Sequence, residues 1–312
     1  MRVFLAAVVA LSLCCVSVRP LEAALTVNGY DLAPSKYDRF DNDPSFIGSA
    51  FDWSGVGRTA SSYWGVLISP SFVLSAAHYP PGLGDPIRFY ASNDPAGAFE
   101  ESSILSNTII SQTGIGGTSD LLLTRLNAPV TGVATYAIGN PAASFVGEEL
   151  FVWGQSNKVD PFLNMRLGRN VVTEVGAAYT APGLTGKGDV FIYDYNTTSG
   201  LGPDEAQVVV GDSGGPSFIV GPDGNLALVG IHWFEYSADP GVPGSFGGSG
   251  DTLVTSFIDE LNTAMANLGS PERVTVAVPE PTALSLCVLG LSAVCLGRRR
   301  RARGKSFSES NY

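Results

Sequence analysis

The hexapeptide Gly211-Asp212-Ser213-Gly214-Gly215-Pro216 lies between the apolar run Val208-Val209-Val210 and the strand-like Ser217-Phe218-Ile219-Val220. A serine hydroxyl is a poor nucleophile, so a Ser that attacks a carbonyl needs a base to take its proton and donors for the oxyanion that forms. Glycines on either side let the backbone turn until the amides of Gly211 and Ser213 converge on one point, and they leave space against the hydroxyl. The same letters also suit a Gly-rich hairpin turn, so the rest of the chain has to decide between the two.

Two histidines exist, His78 and His232. His78 ends Val73-Leu74-Ser75-Ala76-Ala77-His78, an apolar strand running into small residues. Farther on, Ser119-Asp120-Leu121-Leu122-Leu123-Thr124-Arg125-Leu126 sets one acid at the mouth of a buried apolar run. An imidazole acting as base needs a fixed, buried carboxylate to hold its tautomer and to stabilise its charged form. Asp85 and Asp94 have turn-forming neighbours and read as ordinary loop acids, whereas Asp120 leads into a buried strand. His78, Asp120 and Ser213 therefore follow one another at intervals of 42 and 93 residues.

These segments resemble the hallmarks of the trypsin-like (chymotrypsin-fold) serine peptidases: a T/S-A-A-H segment, a D-I/L-A/L-L segment and G-D-S-G-G-P, in that order. The resemblance covers about residues 51 to 268. It implies an all-β fold of two six-stranded antiparallel β-barrels with a C-terminal helix. In the cleft between them Ser213 would be the nucleophile, His78 the base and then the acid, and Asp120 the carboxylate that orients it. The amides of Gly211 and Ser213 would bind the oxyanion, the substrate would be a polypeptide, and neither metal nor organic cofactor is needed. Gly211 to Gly215 also satisfy the nucleophile-elbow pattern of another hydrolase class. That elbow must open a helix and have its histidine last in order; Gly214-Gly215-Pro216 before a strand pattern is a poor helix start, and His232 comes only 19 residues after Ser213.

Composition agrees with a β-rich body. Of 312 residues, 37 are Gly and 20 Pro, with 45% hydrophobic and 15% charged, which describes an ample core, short strands and many turns. Ten of the 18 basic residues but 26 of the 29 acidic ones fall in the central part, so the body is strongly acidic and repels nucleic acid. The cysteines, Cys14, Cys15, Cys287 and Cys295, all fall in the two terminal apolar segments, so the body has no disulfides and packing alone must hold it.

In order along the chain, residues 1–23 read as a secretory signal, with Arg2 ahead of an apolar core and Ala23-Ala24 near the cleavage point. Residues 24–50 form a polar, turn-rich extension in which Tyr37-Asp38-Arg39-Phe40-Asp41-Asn42-Asp43 reads as a solvated turn, its acids lacking the full calcium-loop pattern. The peptidase domain spans 51–270. Its first barrel, over 51 to 130, includes strands at 63–70, 72–74, 86–92 and 103–112. The second begins at 131 or 148 and ends at 250, with strands at 150–154, 169–175, 190–195 and 226–231. Ser256 to Leu268 has helical spacing, with Ser256 and Asp259 as caps and Gly269 as the stop. A linker at 271–281 carries Pro279-Glu280-Pro281, and an apolar segment at 282–297 precedes a basic tail at 298–312. This ending resembles the PEP-CTERM sorting signal of exopolysaccharide-producing Gram-negative bacteria. It implies an exosortase-type processing partner, a membrane stage through the C-terminal segment, and a secreted or cell-envelope location. Asn196-Thr197-Thr198 matches a glycosylation sequon, which the bacterial sorting signals make a coincidence.

The resemblance also implies where substrate lies. Leu226 to Ile231 continues into His232-Trp233-Phe234, the edge that pairs with an extended substrate backbone. His232 takes a place usually held by Ser; it reads equally as a cleft residue or as a partly buried strand histidine. Gln207, six residues before Ser213, takes the place of the pocket floor. Being neutral, it argues against cleavage after Lys or Arg, and with Phe234 narrowing the wall it favours small or medium uncharged side chains. In animal members an N-terminal amine pairs with the acid before the nucleophile, here Asp212; with no basic residue before Phe46-Ile47-Gly48-Ser49, the partner of Asp212 stays open. From a different class comes the alternative of a catalytically inactive matrix or surface binding protein built on the peptidase scaffold.

Overall fold

The computed structural model describes residues 24–196, 200–237 and 247–277. The expected signal at 1–23, the Pro-Glu-Pro motif, the apolar segment and the basic tail lie outside the described residues, as do Thr197 and Thr198 of the sequon.

A short strand, β1 (Thr26–Val27), comes first. Six strands then close into a barrel: β2 (Val56–Thr59), β3 (Trp64–Ser69), β4 (Phe72–Ala76), β5 (Pro86–Tyr90), β6 (Phe99–Ile109) and β7 (Leu121–Leu126), in the order β2-β3-β4-β7-β6-β5. Strands β3 and β4 are buried on both faces, which explains their continuous apolar sequence. Leu67 and Val73 join Ile87, Phe89, Ile104, Leu126 and Val130 in one cluster. Their neighbours Val66, Ile68 and Leu74 belong instead to a larger core shared with the second half of the chain, as the two-residue period of a strand requires.

The second half contains β8 (Ala137–Ile138), β9 (Glu149–Gly154), β10 (Arg166–Val171), β11 (Glu174–Tyr179), β12 (Gly188–Tyr195), β13 (Ala206–Gln207), β14 (Pro216–Val220), β15 (Leu226–Tyr236) and β16 (Gly247–Leu253). Here the expectation of a second six-stranded barrel is corrected. The sheet has eight strands, ordered β10-β9-β14-β15-β16-β12-β11 with β8 parallel to β15, and its end strands β10 and β11 do not pair with each other. The reason lies at β10, where Gly168 leaves room for Ala206 of β13, whose Cβ would stand 2.3 Å from any added Cβ. Asn170 spans the gap by donating to Asp194 O at 3.0 Å and Ala206 O at 2.7 Å. Strand β13 pairs with β1 and not with the ends of the sheet.

Residues 24–50 also depart from the solvated turn expected of them. Tyr37, Asp38, Arg39 and Phe40 are all buried, as are Leu25, Val27 and Phe46. Asp38 accepts from Arg166 Nε of β10 at 2.8 Å. Arg39 reaches the first barrel, donating to Tyr90 O and to Asn93 Oδ1 at 3.0 Å each. The extension is therefore a strap across both sheets, and the charges of Asp38 and Arg39 are inward because each finds a partner there.

Where the halves meet, Trp53 is enclosed edge-on by Trp153, Phe218, Phe151 and Phe51 at centroid distances of 5.1 to 6.0 Å, and its indole N–H donates to Gly48 O. The closing helix, α1 (Ile258–Asn267), follows a 3₁₀ turn over Val254–Phe257. That turn moves the helix start past Ser256, and no side chain caps it, so neither Ser256 nor Asp259 has the expected role. Leu261 and Met265 are buried as the spacing predicts, and Gly269 ends the helix at φ +76°. Beyond it the chain is pinned as far as Ala277, with Ile138 N donating to Thr275 O and Ala277 N to Ile138 O.

Trp53→Ala leaves a cavity in this seam. Denaturant unfolding is expected to show a loss of about 3–5 kcal/mol, and a loss under about 1 kcal/mol would mean that the seam is not the tight junction described.

Candidate active site

Strands β4 and β7 are antiparallel neighbours with Ala76 opposite Leu121. The residues just beyond the paired ends, His78 and Asp120, are consequently adjacent although 42 positions apart. Three bonds fix them: Ala77 N to Asp120 O at 2.7 Å, His78 N to Asp120 Oδ1 at 2.9 Å, and His78 Nδ1 to Asp120 Oδ2 at 2.8 Å. Burial pushes the Asp120 carboxyl up, while the hydrogen bond and charge of His78 pull in the other direction. Asp94, one of the rival acids, accepts from Ala96 N within its own turn.

Ser213 comes from the other half, on the loop ahead of β14, and its Oγ lies 2.8 Å from His78 Nε2. The loop reaches that far because Gly211 and Gly214 adopt φ of +100° and +83°. At Gly214 a Cβ would fall 2.6 Å from Ser75 Oγ and 3.0 Å from Ala76 N, so the two halves touch through backbone. Most amides of the loop are engaged: Asp212 N donates to Val209 O, Gly214 N to His232 O, and Gly215 N to Asp212 O. Among the described residues no protein acceptor takes the amides of Gly211 and Ser213.

Asp212 finds its partners in the main chain. It is fully buried and accepts from Gln155 N at 2.7 Å and Val209 N at 2.9 Å. Burial raises its pKa to about 7, against these amides and the nearby His232 and Arg58, which favour the charged form. Gln155 also donates its side-chain amide to Gly211 O. Neither role of Gln155 has a signal in the sequence, because each depends on where β9 ends relative to the loop.

Beside Ser213 opens a cleft of about 1270 Å³, bordered by Tyr179, Val208, Val209, Val210, Trp233 and Phe234 among others. Phe234 stacks on Tyr179 at 5.2 Å and 14°, and Trp233 packs against both. One expectation is corrected, and of the two readings of His232 the buried strand histidine fits the ring, although the residue also borders the cleft. Gln207 does not line this cleft; its amide is spent on Tyr236 O at 3.2 Å and Gly248 O at 3.1 Å, carbonyls at the open ends of β15 and β16. The ring of His232 is turned inward and is 1% exposed, with Nδ1 2.9 Å from Asp251 Oδ1 and Nε2 2.6 Å from Trp153 O. Asp251 was not foreseen, since only the register of β15 against β16 sets it opposite His232.

The Trypsin family model matches residues 46–249. The chain belongs to the trypsin family. No curated protein matches it. As a trypsin-family chain it is a trypsin-like serine peptidase in general terms, acting on polypeptides. No helix among the described residues is long and apolar enough to cross a membrane.

The buried acid of the loop has a measurable signature. A folded-state pKa near 7 lies above the usual carboxylate value, so the folded chain holds a proton that the unfolded chain releases. That contribution to stability is complete below about pH 4 and is lost as pH rises through about 7. Asp212→Asn is expected to flatten the fall in Tm between pH 5 and pH 8; a variant with the wild-type slope would remove Asp212 as its source.

Proposed function

We propose that this trypsin-family protein is a secreted serine endopeptidase that hydrolyses peptide bonds through an acyl-enzyme. One observation carries the reading: His78 holds Asp120 on one ring nitrogen and Ser213 on the other, each at 2.8 Å. With the Nδ1 proton donated to the carboxylate, the Nε2 lone pair takes the hydroxyl proton as Ser213 Oγ attacks the scissile carbonyl. The oxyanion turns to the unengaged amides of Gly211 and Ser213, and collapse expels the amine with the proton that His78 returns. Water then repeats the sequence on the ester, giving up its proton through His78 and releasing the acid.

Ser213→Ala is expected to abolish peptide hydrolysis and labelling by a fluorophosphonate. Asp120→Asn, which offers Nδ1 a donor in place of an acceptor, should lower kcat about 10⁴-fold. An inactive binding scaffold predicts instead that the wild-type chain never reacts with the probe.

For specificity, the valines at 208–210 and the aromatic wall of Phe234 and Tyr179 support a preference for uncharged residues on the acyl side of the cut. Cleavage of a mixed peptide library is expected to show small or medium uncharged side chains there; a dominant Lys or Arg signal would refute this. The ending at 278–312 supports processing by an exosortase-type enzyme and a secreted or envelope location, after a membrane stage.

A further inference from the structure

His232 has more polar contacts than a strand histidine needs. Its Nδ1 faces a carboxylate oxygen of Asp251 on β16, and its Nε2 faces the carbonyl of Trp153 on β9. A carbonyl oxygen cannot donate, and a carboxylate is an acceptor only, so both contacts are satisfied together when both ring nitrogens carry hydrogen. The same Asp251 oxygen also accepts from the Tyr193 hydroxyl of β12 at 3.1 Å, and burial holds that phenol protonated. A ring with hydrogen on both nitrogens carries the positive charge, and Asp251 meets it through Oδ1, its buried Oδ2 having no hydrogen-bond partner among the described residues.

The ring lies directly behind the loop that carries Ser213. An added Cβ at Gly215 would stand 2.7 Å from His232 Cδ2 and 2.9 Å from Asp212 O, so ring and loop are packed without a gap. The backbone of His232 binds the loop as well, accepting from Gly214 N at 3.1 Å and donating to Gly215 O at 2.9 Å. The charges of His232 and of Arg58 on β2 both favour the ionised form of Asp212. Buried charges therefore alternate through the site: Asp212, His232, Asp251. Burial by itself pushes the His232 pKa down, but the charge and hydrogen bond of Asp251 and the charge of Asp212 outweigh it and leave it raised.

We propose that His232 is a buried imidazolium that acts as a positioning residue: clamped between Asp251 and the Trp153 carbonyl, it favours the ionised form of Asp212 and thereby steadies the Gly211–Ser213 loop in its bonded form. The proposal rests on the peptidase reading only for its kinetic consequences. Without this charge a proton on Asp212 would replace an acceptor by a donor opposite the amides of Gln155 and Val209, releasing the turn that aims Gly211 and Ser213.

The chain's two histidines make a direct test possible. In ¹⁵N-histidine NMR of the Ser213→Ala protein, His232 is expected to show two protonated ring nitrogens with imidazolium shifts, unchanged from pH 5 to 9. A bare ring nitrogen, or a free titration in that range, overturns the proposal. The double variant His232→Gln/Asp251→Asn removes both charges together, so Asp251 is not left as an unpaired buried ion. In it the acid limb of kcat/KM should move up by about one pH unit as Asp212 loses its cation. A folded double variant with the wild-type profile also overturns the proposal, since a merely structural histidine would lower Tm and leave the profile in place. If the wild-type chain neither turns over peptides nor reacts with a fluorophosphonate, the peptidase reading has failed, and the NMR result still decides the charge of His232.

Discussion

Everything in the site depends on the two halves of the chain being locked in one relative position. His78 and Asp120 belong to the closed barrel, Ser213 to the open sheet, and the bond between them has a tolerance of a few tenths of an ångström. With no cysteine in the described residues, that lock is made of packing. The largest core cluster takes Val66, Ile68, Leu74 and Leu123 from one half and Trp153, Phe218, Leu228 and Ile231 from the other, with Trp53 between them. An interior packed this closely resists sliding, because any shift opens voids on one side and overlaps on the other.

The same logic explains why so many glycines line the junction. Gly214 lets the Ser213 loop lie against the backbone of β4, and Gly215 lets the ring of His232 come up behind it. Small residues around the serine thus serve close approach on both sides as much as they serve the turn itself. The loop is then fixed from within, by Asp212 on two amides and by Gln155 on the Gly211 carbonyl.

Much of this was legible in the sequence, and the limits have a common cause. His78, Asp120 and Ser213 sit in local patterns that each announce a strand end or a tight turn, so they are legible in short windows. The first barrel was legible for the same reason. What escaped depends on pairing between distant positions. Asp38 and Arg39 look like surface residues until Arg166 and the carbonyl of Tyr90 are placed beside them. Asp251 is one acid in a glycine-rich run until β16 is registered against β15. Gln207 was placed by counting back from Ser213, and counting cannot see that its amide is needed by carbonyls of two other strands. The pairing of β13 with β1, at the far end of the chain, is likewise a contact between distant positions.

That last pairing has a temporal side. Thr26 and Val27 have no partner until Gln207 and Ala206 have been made, and the residues that follow these at once are the valines and the loop of Ser213. The rest of the leading segment finds partners sooner, Arg39 at Tyr90 and Leu25 at Gln155, so Thr26 and Val27 are its late-paired part. The Ser213 loop comes after Ala206 and Gln207, so the arrangement of His78, Asp120 and Ser213 cannot be completed until most residues of the two sheets are in place.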